Sequence, residues 1–273
     1  MSEVRDHLHQ WLVRIPVLFI FVLAGCNSIL QQDDQTKNVT ANEDRVDEKS
    51  DSLINIHRIS VAGFANAYLL EGKDGLILVD AGPPLFEQQI LDKMEELGRD
   101  DLRLIFITHA HIDHYGGAAV ISAATGALIA IHEADAEALA KGETRLGSVR
   151  YLPRQVTDYV LPRLEPNIRI NPTEADVLFK DGADLSEYGL DARVIHLPGH
   201  TPGSAGLVVD QQIAFIGDLI STAGGPHIQR SYADDWMQLR RNVEQLKERK
   251  PSIIYAGHGS EPLTAEELDA LSK

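Results

Sequence analysis

The run LRLIFITHAHIDHYGG, residues 102–117, constrains this chain more than any other stretch. Leu102–Ile107 is almost continuously apolar, which predicts a short strand buried on both faces. The chain then sets His109, His111, Asp113 and His114 within six positions and follows them with Gly116 and Gly117. Alternate residues of an extended segment point the same way, so His109 and His111 share a direction. The glycines remove side chains where the backbone must pass close to whatever these groups hold. Imidazole nitrogen with carboxylate oxygen suits zinc, and also manganese or iron. A strand end feeding such groups into a glycine-opened helix reads as one part of a preorganised metal site.

The later chain offers the remaining parts. HLPGHTPGS places His200 in a loop after an apolar strand, AFIGDLI ends a strand at Asp218, and IIYAGHG ends another at His258. Each candidate lies beside glycine, as expected if the strands turn one edge toward one pocket. Around them the pattern alternates. Apolar runs flank Asp74–Gly75 as in a hairpin, residues 83–98 have near-helical spacing, and residues 115–126 read as one helix. Further strands fall at ALIAIHE and DARVIHL, a hairpin at AGLVVDQQIAFIGD, and helices at residues 133–142 and 234–249. Thr264 and Glu267 suit a capping box on the last helix. Strands alternating with helices imply a layered α/β fold.

Residues 141–180 break the pattern with four prolines and no long period, and read as an insertion or lid. Lys141, Arg145, Arg150, Arg154, Arg163 and Arg169 cluster there. They suit a solvated surface, or a place to receive an anionic group of a substrate. His57 and His132 read as strand or surface residues and His196 as packed, while His7 and His9 fall near the N-terminus. His227 follows Asp218 in a glycine-rich loop, where a substrate contact is also open.

The net charge of −16 argues against a phosphate-backbone partner, so no nucleic acid is expected. One cysteine, Cys26, precludes an intrachain disulfide. It ends LAGC after the apolar run Ile15–Gly25, too short to span a bilayer comfortably. LAGC resembles the bacterial lipobox, which implies a signal peptide over 1–25 and a lipid on Cys26. Residues 26–53 are polar and aperiodic, and read as a flexible tether reaching roughly 25–30 Å. The folded domain is then expected over 54–273, outside the cytoplasm on a bacterial membrane. Asn27 favours the outer membrane if the envelope has one.

From about residue 54 the chain resembles the metallo-β-lactamase-fold hydrolases. Their H-x-H-x-D-H motif matches His109, His111, Asp113 and His114, and their later ligands match His200, Asp218 and His258 in order. The resemblance implies a four-layer αββα sandwich with two divalent ions at the sheet edges, zinc first and manganese or iron as alternatives. It implies His109, His111 and His200 on one ion, Asp113, His114 and His258 on the other, and Asp218 between them. Asp113 would also orient the attacking water, and Asp80 would support the ligands by hydrogen bonding.

Such a site does not fix a substrate. Glyoxalase II shares the ligand set but adds a C-terminal glutathione domain, whereas only 15 residues follow His258 here. β-Lactamases with a cysteine ligand do not match, and RNA-processing relatives suit neither the charge nor the location. Hydrolysis of a small ester, lactone or thioester is the broadest fit. The alternatives are a β-lactamase of the H-x-H-x-D-H type, a mononuclear-iron sulfur dioxygenase, and a non-catalytic surface lipoprotein.

Overall fold

On the strand Leu102–Ile107, Leu104 and Phe106 enter one core while Ile105 and Ile107 enter another. That division, set by the two-residue period of a strand, runs through the molecule. The structure is a computed structural model and describes residues 54–150 and 171–271. The leader, Cys26, the tether, Arg154, Arg163 and Arg169 lie outside the described residues. No helix among the described residues is long and apolar enough to cross a membrane.

The first sheet is built from β1 (Ile56–Val61), β2 (Ala65–Glu71), β3 (Leu76–Val79), β4 (Leu102–Ile107) and β5 (Leu128–His132). Interleaved with them are α1 (Glu87–Glu96), α2 (Ile112–Tyr115), α3 (Ala118–Thr125) and α4 (Ala136–Lys141). After β6 (Ser148–Val149), β7 (Val177–Phe179) joins the sheet beside β5. The tail of the segment read as an insertion is thus an edge strand, three residues long and too short to show a period. The second sheet contains β8 (Ala192–His196), β9 (Ala205–Val209) and β10 (Ile213–Phe215). Short β11 (Ile220–Ser221), β12 (His227–Ile228) and β13 (Tyr232–Ala233) precede α5 (Trp236–Arg249). Then β14 (Ile253–Tyr255) and β15 (Leu263–Thr264) complete the second sheet, before α6 (Ala265–Ala270).

Among the described residues, the sheet orders are β1-β2-β3-β4-β5-β7 and β15-β14-β10-β9-β8. Their facing sides share one core, where Phe106, Val79 and Leu104 meet Leu207, Val209 and Phe215. The outer face of the first sheet buries Ile105, Ile107 and Ile131 against Ile90 and Met94 of α1, Ile121 of α3 and Leu139 of α4. The outer face of the second buries Ala214, Ile216 and Ile254 against Leu239, Val243 and Leu246 of α5. This is a layered α/β fold, and its layering is the αββα sandwich that the resemblance implies. Burying each large aliphatic side chain contributes roughly 1.5–3 kcal/mol, so the three cores specify the layering.

The predicted hairpin at Asp74–Gly75 forms between β2 and β3, and both halves of the Thr264–Glu267 capping box are present. The single helix expected over 115–126 is instead two, α2 and α3, broken at Gly116–Gly117. A Cβ on Gly116 would lie 2.5 Å from Pro84 Cδ, so close approach of the Pro83–Pro84 segment requires the glycine.

At the end of β2, His57 Nε2 lies 2.6 Å and Arg99 Nη1 3.4 Å from the Glu71 carboxylate. The hydrogen bond from His57 holds the Glu71 carboxyl below its usual range near 4.5. A carboxyl depressed by folding stabilises fully above its unfolded pKa and loses that contribution as pH falls through the folded value. The side chain is 25% exposed, so solvent limits the effect to about 0.5–1 kcal/mol. Glu71→Gln should therefore melt about 1–4 °C below the parent at pH 7. In a thermal melt series the gap should close on acidification; a gap that widens would contradict the assignment.

Candidate metal centre

Topology brings the candidate residues together. β3, β4 and β5 run parallel, so Asp80, His109 and the segment after His132 leave the same edge of the first sheet. In the second sheet β10 is parallel to β14 and antiparallel to β9, which is antiparallel to β8. The C-terminal ends of β8, β10 and β14 therefore share one edge, and His200, Asp218 and His258 follow them. Backbone bonds join the edges: Ala205 N–H donates to Thr108 O at 2.9 Å and Asn66 N–H to Gly257 O at 2.8 Å.

The donor atoms fall into three overlapping groups, each with its atoms within 4.8 Å of one another: His109, His111 and His200; His109, His114 and Asp218; and Asp113, His114 and His258. All seven residues singled out in the sequence are among them. His109 Nε2 and His200 Nε2 each lie 3.0 Å from His111 Nδ1. Asp218 stands between the groups. Its Oδ1 is 3.4 Å from His114 Nε2, and its Oδ2 is 3.5 Å from His200 Nε2 and 3.4 Å from His258 Nε2. Asp113 Oδ2 is 3.4 Å from His258 Nε2 and 3.8 Å from His114 Nε2.

Each ring is pinned through its other nitrogen. His111 Nε2 donates to Arg145 O at 2.7 Å, His200 Nδ1 to Tyr232 O at 3.2 Å and His258 Nδ1 to Phe64 O at 2.9 Å. His114 Nδ1 donates to Asp80 Oδ2 at 2.8 Å. Thr108 Oγ1 gives its hydrogen to Asp80 Oδ2 at 2.9 Å, and so accepts from His109 Nδ1 at 3.0 Å. A neutral ring whose outer nitrogen donates turns a lone pair inward. With all five rings neutral, five lone pairs would converge with Asp113 and Asp218, an arrangement that repels itself unless a cation, protons or metal, stands among it.

Burial sharpens the argument. Asp218 is 4% exposed, and neither of its oxygens nor His114 Nε2 has a hydrogen-bond partner among the described residues. Leaving such a group unpaired costs about 1–3 kcal/mol, more for a charge. Burial holds His109 neutral well below its ordinary pKa, and burial with the adjacent His111 takes His200 down to about 3. Burial opposes charge on His114 and His258 as well. There the carboxylates win: Asp218, Asp113 and Asp80 lift His114 to about 10, and Asp218 and Asp113 lift His258 to about 9. Burial would raise the Asp218 carboxyl, but His258, His114 and His200 keep it well below the usual range. The pocket demands positive charge, and a metal ion supplies it while using the inward nitrogens. Tetrahedral zinc–nitrogen bonds separate ligand nitrogens by about 3.3 Å, close to the spacing seen. The donor set fits divalent metal.

Asp80 has φ of +58° and also accepts from Thr108 N–H at 2.8 Å, so it fixes both the strand end and the His114 ring. Phe64, not singled out in the sequence, stacks on His258 with ring centroids 6.3 Å apart. Tyr232, also unforeseen, packs 5.6 Å from the His111 ring and 5.1 Å from that of His200. Both come from elements remote in sequence. His57 pairs with Glu71, while His132 and His196 stack on each other at 3.8 Å. His227 donates to or accepts from nothing in the cluster; its Nδ1 bonds Gly225 O at 2.7 Å. Of the basic residues, Lys141 pairs with Glu137 and Arg145 with Glu143. Arg150, next to the β-paired Val149, has its guanidinium 3.7 Å over the Trp236 ring.

Fold and donor set define a metallo-hydrolase, and the chain belongs to the metallo-beta-lactamase superfamily, whose sequence model matches residues 61–258. Among its relatives is the hydroxyacylglutathione hydrolase GloC of Haemophilus influenzae, 25% identical over an alignment of 214 residues that covers 76% of this chain and 92% of GloC. An N-acyl homoserine lactonase of Bacillus thuringiensis is 27% identical over 230 residues, covering 71% of this chain and 80% of the lactonase. The match to the Beta-lactamase-like protein 2 homolog of Drosophila melanogaster, 26% identical over 71% of this chain, spans 58% of that protein's length. A mutant metallo-beta-lactamase from Cronobacter sakazakii superposes with a TM-score of 0.57 at 28% identity, over 75% of this chain and 77% of that one. In that mutant the arginine and glutamine of a HARLDQ motif are replaced by histidine; here His109–His114 reads HAHIDH.

Proposed function

We propose that this chain hydrolyses an ester, lactone or thioester with two divalent cations, zinc first. The observation that carries the reading is the set of five histidines, each pinned by its outer nitrogen and aimed inward at Asp113 and Asp218. His109, His111 and His200 would hold one ion and Asp113, His114 and His258 the other, with Asp218 facing both. Such ions, when bound, supply a nucleophilic water near neutral pH and polarise the substrate carbonyl.

The chain's own residues do the rest. Asp113, with its side chain 20% exposed on the open side of the cluster, orients the attacking water and accepts its proton. Asp80 keeps the His114 proton on Nδ1, so that Nε2 stays free to bind. Phe64, 37% exposed beside His258, offers an apolar wall to the acyl part of a substrate. The carbonyl class is supported by the named activities of the lactonase and GloC. Ring opening of β-lactams is the second reading, favoured by the likeness to the Cronobacter enzyme.

The test is a hydrolysis panel of lactones, aryl esters, thioesters, β-lactams and phosphodiesters. We expect turnover of a carbonyl ester or thioester, lost with a chelator and in His114→Ala, and restored to the parent by zinc. Turnover confined to β-lactams would replace the first reading with the second. A preparation holding two ions that turns over nothing in the panel would overturn both.

A further inference from the structure

Asp135 follows β5 and is 2% exposed, yet it contacts none of the inward nitrogens. Its carboxylate accepts three hydrogen bonds. Oδ2 takes Ala110 N–H at 2.9 Å and Thr201 Oγ1 at 2.7 Å, and Oδ1 takes Gly203 N–H at 2.7 Å. Ala110 stands between His109 and His111, and Thr201 is the neighbour of His200. One side chain therefore joins the two loops that carry the three-histidine group, and those loops leave different sheets.

Three further features show that this link shapes its surroundings. Asp135 occupies the N-cap position of α4, where an aspartate normally caps its own helix, but its side chain makes no capping bond. The carboxylate is committed to the loops instead. Gly203 is shaped to receive it, since a Cβ there would fall 2.5 Å from Asp135 Cγ. Thr201 is held in turn, with its N–H on Ser204 Oγ at 3.0 Å and its hydroxyl 2.8 Å from the same oxygen. A carboxylate is the one common side chain that accepts throughout and donates nothing, as three converging donors require. No lysine or arginine is ion-paired with Asp135 among the described residues, so the donors from these loops carry the negative charge.

We infer that Asp135 is a positioning residue for the three-histidine group, holding His109, His111 and His200 in mutual register across the two sheets. The inference rests on the proposed metal centre and adds to it the device that aligns one half. His114 and His258 are fixed by other partners, Asp80 and Phe64 O, so loss of Asp135 should loosen one ion and spare the other.

The experiment compares the full chain with Asp135→Ala, Asp135→Asn and Thr201→Val, each loaded with cobalt(II). Readouts are metal stoichiometry, competition with a chelator, and the visible cobalt spectrum. Asp176→Ala is the control: Asp176 accepts Ile129 N–H at 2.8 Å at the opposite end of β5. We expect Asp135→Ala to weaken one of the two ions by about 10–100-fold and to alter its spectral band, leaving the other ion at parental affinity. Asp135→Asn should weaken the same ion by less, because its NH2 must face a donor. Thr201→Val, which removes one bond of three, should have the smallest effect and keeps the test open if Asp135→Ala fails to fold. Asp176→Ala should keep both ions and both bands.

Parental affinity and spectrum in all three variants would overturn the positioning role while leaving the metal centre intact. Equal weakening of both ions, or the same weakening in Asp176→Ala, would also overturn it, by showing a general loss of fold. A parent chain that takes up no metal would overturn the metal centre itself and this inference with it.

Discussion

Asp218→Ala is expected to lower kcat/KM by about 10³-fold or more and to reduce metal uptake to one ion or fewer. Both Asp218 oxygens are buried without hydrogen-bond partners and face His114, His200 and His258 at 3.4–3.5 Å. Each unit of opposite charge at 4 Å contributes about 4 kcal/mol at an effective dielectric of 20, and a dication doubles the interaction before desolvation is subtracted. Even half of the single-charge figure, at each of two ions, amounts to about three orders of magnitude. Asp218→Asn should be nearly as damaging, because it keeps the shape and removes only the charge. Metal analysis and steady-state kinetics on the panel substrate decide the matter. Parental turnover with two ions in either variant would remove Asp218 from the site.

At Asp80 the expected effects on stability and on binding can be separated. Asp80→Ala strands Thr108 N–H, the Thr108 hydroxyl and His114 Nδ1–H inside a buried site. Orphaned groups cost about 1–3 kcal/mol each, so a total near 3 kcal/mol is a conservative expectation, with melting about 6–12 °C earlier. Asp80→Asn should melt near the parent, since asparagine tolerates the left-handed backbone and can still accept from Thr108. Its NH2 group, however, would donate to His114 Nδ1. The proton would then move to Nε2, the nitrogen aimed at Asp218, and the ring could no longer bind a cation there. Metal affinity should fall about 10–100-fold with the fold retained. If Asp80→Asn instead binds metal like the parent, His114 does not depend on Asp80 for its tautomer. Calorimetry and chelator competition on the two variants provide both numbers.

How much of this was legible beforehand differs residue by residue. His109, His111, Asp113 and His114 stood out because polar groups crowd the end of an apolar strand within a few positions, and local order along the chain is what a sequence displays. His200, Asp218 and His258 could be added because each also ends a strand beside glycine. Asp80 could be named, but not its left-handed backbone or its bond to His114. Asp135 was invisible for a physical reason: an aspartate before a helix looks like an N-cap, and only the approach of Ala110 and Gly203 shows that it is not one. Phe64 and Tyr232 were equally hidden, since nothing in their neighbourhoods distinguishes a ring against a distant histidine from an ordinary loop aromatic. The break at Gly116–Gly117 was missed because helix-forming residues continue on both sides, and the reason for it, Pro84, lies about thirty positions earlier.

Sequence alone therefore determined the layered α/β architecture and singled out the seven residues that the fold brings together, because strand periodicity and residue chemistry are properties of short segments. The tertiary structure decided which nitrogen of each ring faces inward, which carboxylate stands between the groups, and which side chain ties the two sheets together at the site. Those choices depend on hydrogen bonds between residues as much as 194 positions apart, such as His258 to Phe64. They come into existence only when the sheets pack and water is excluded from between them.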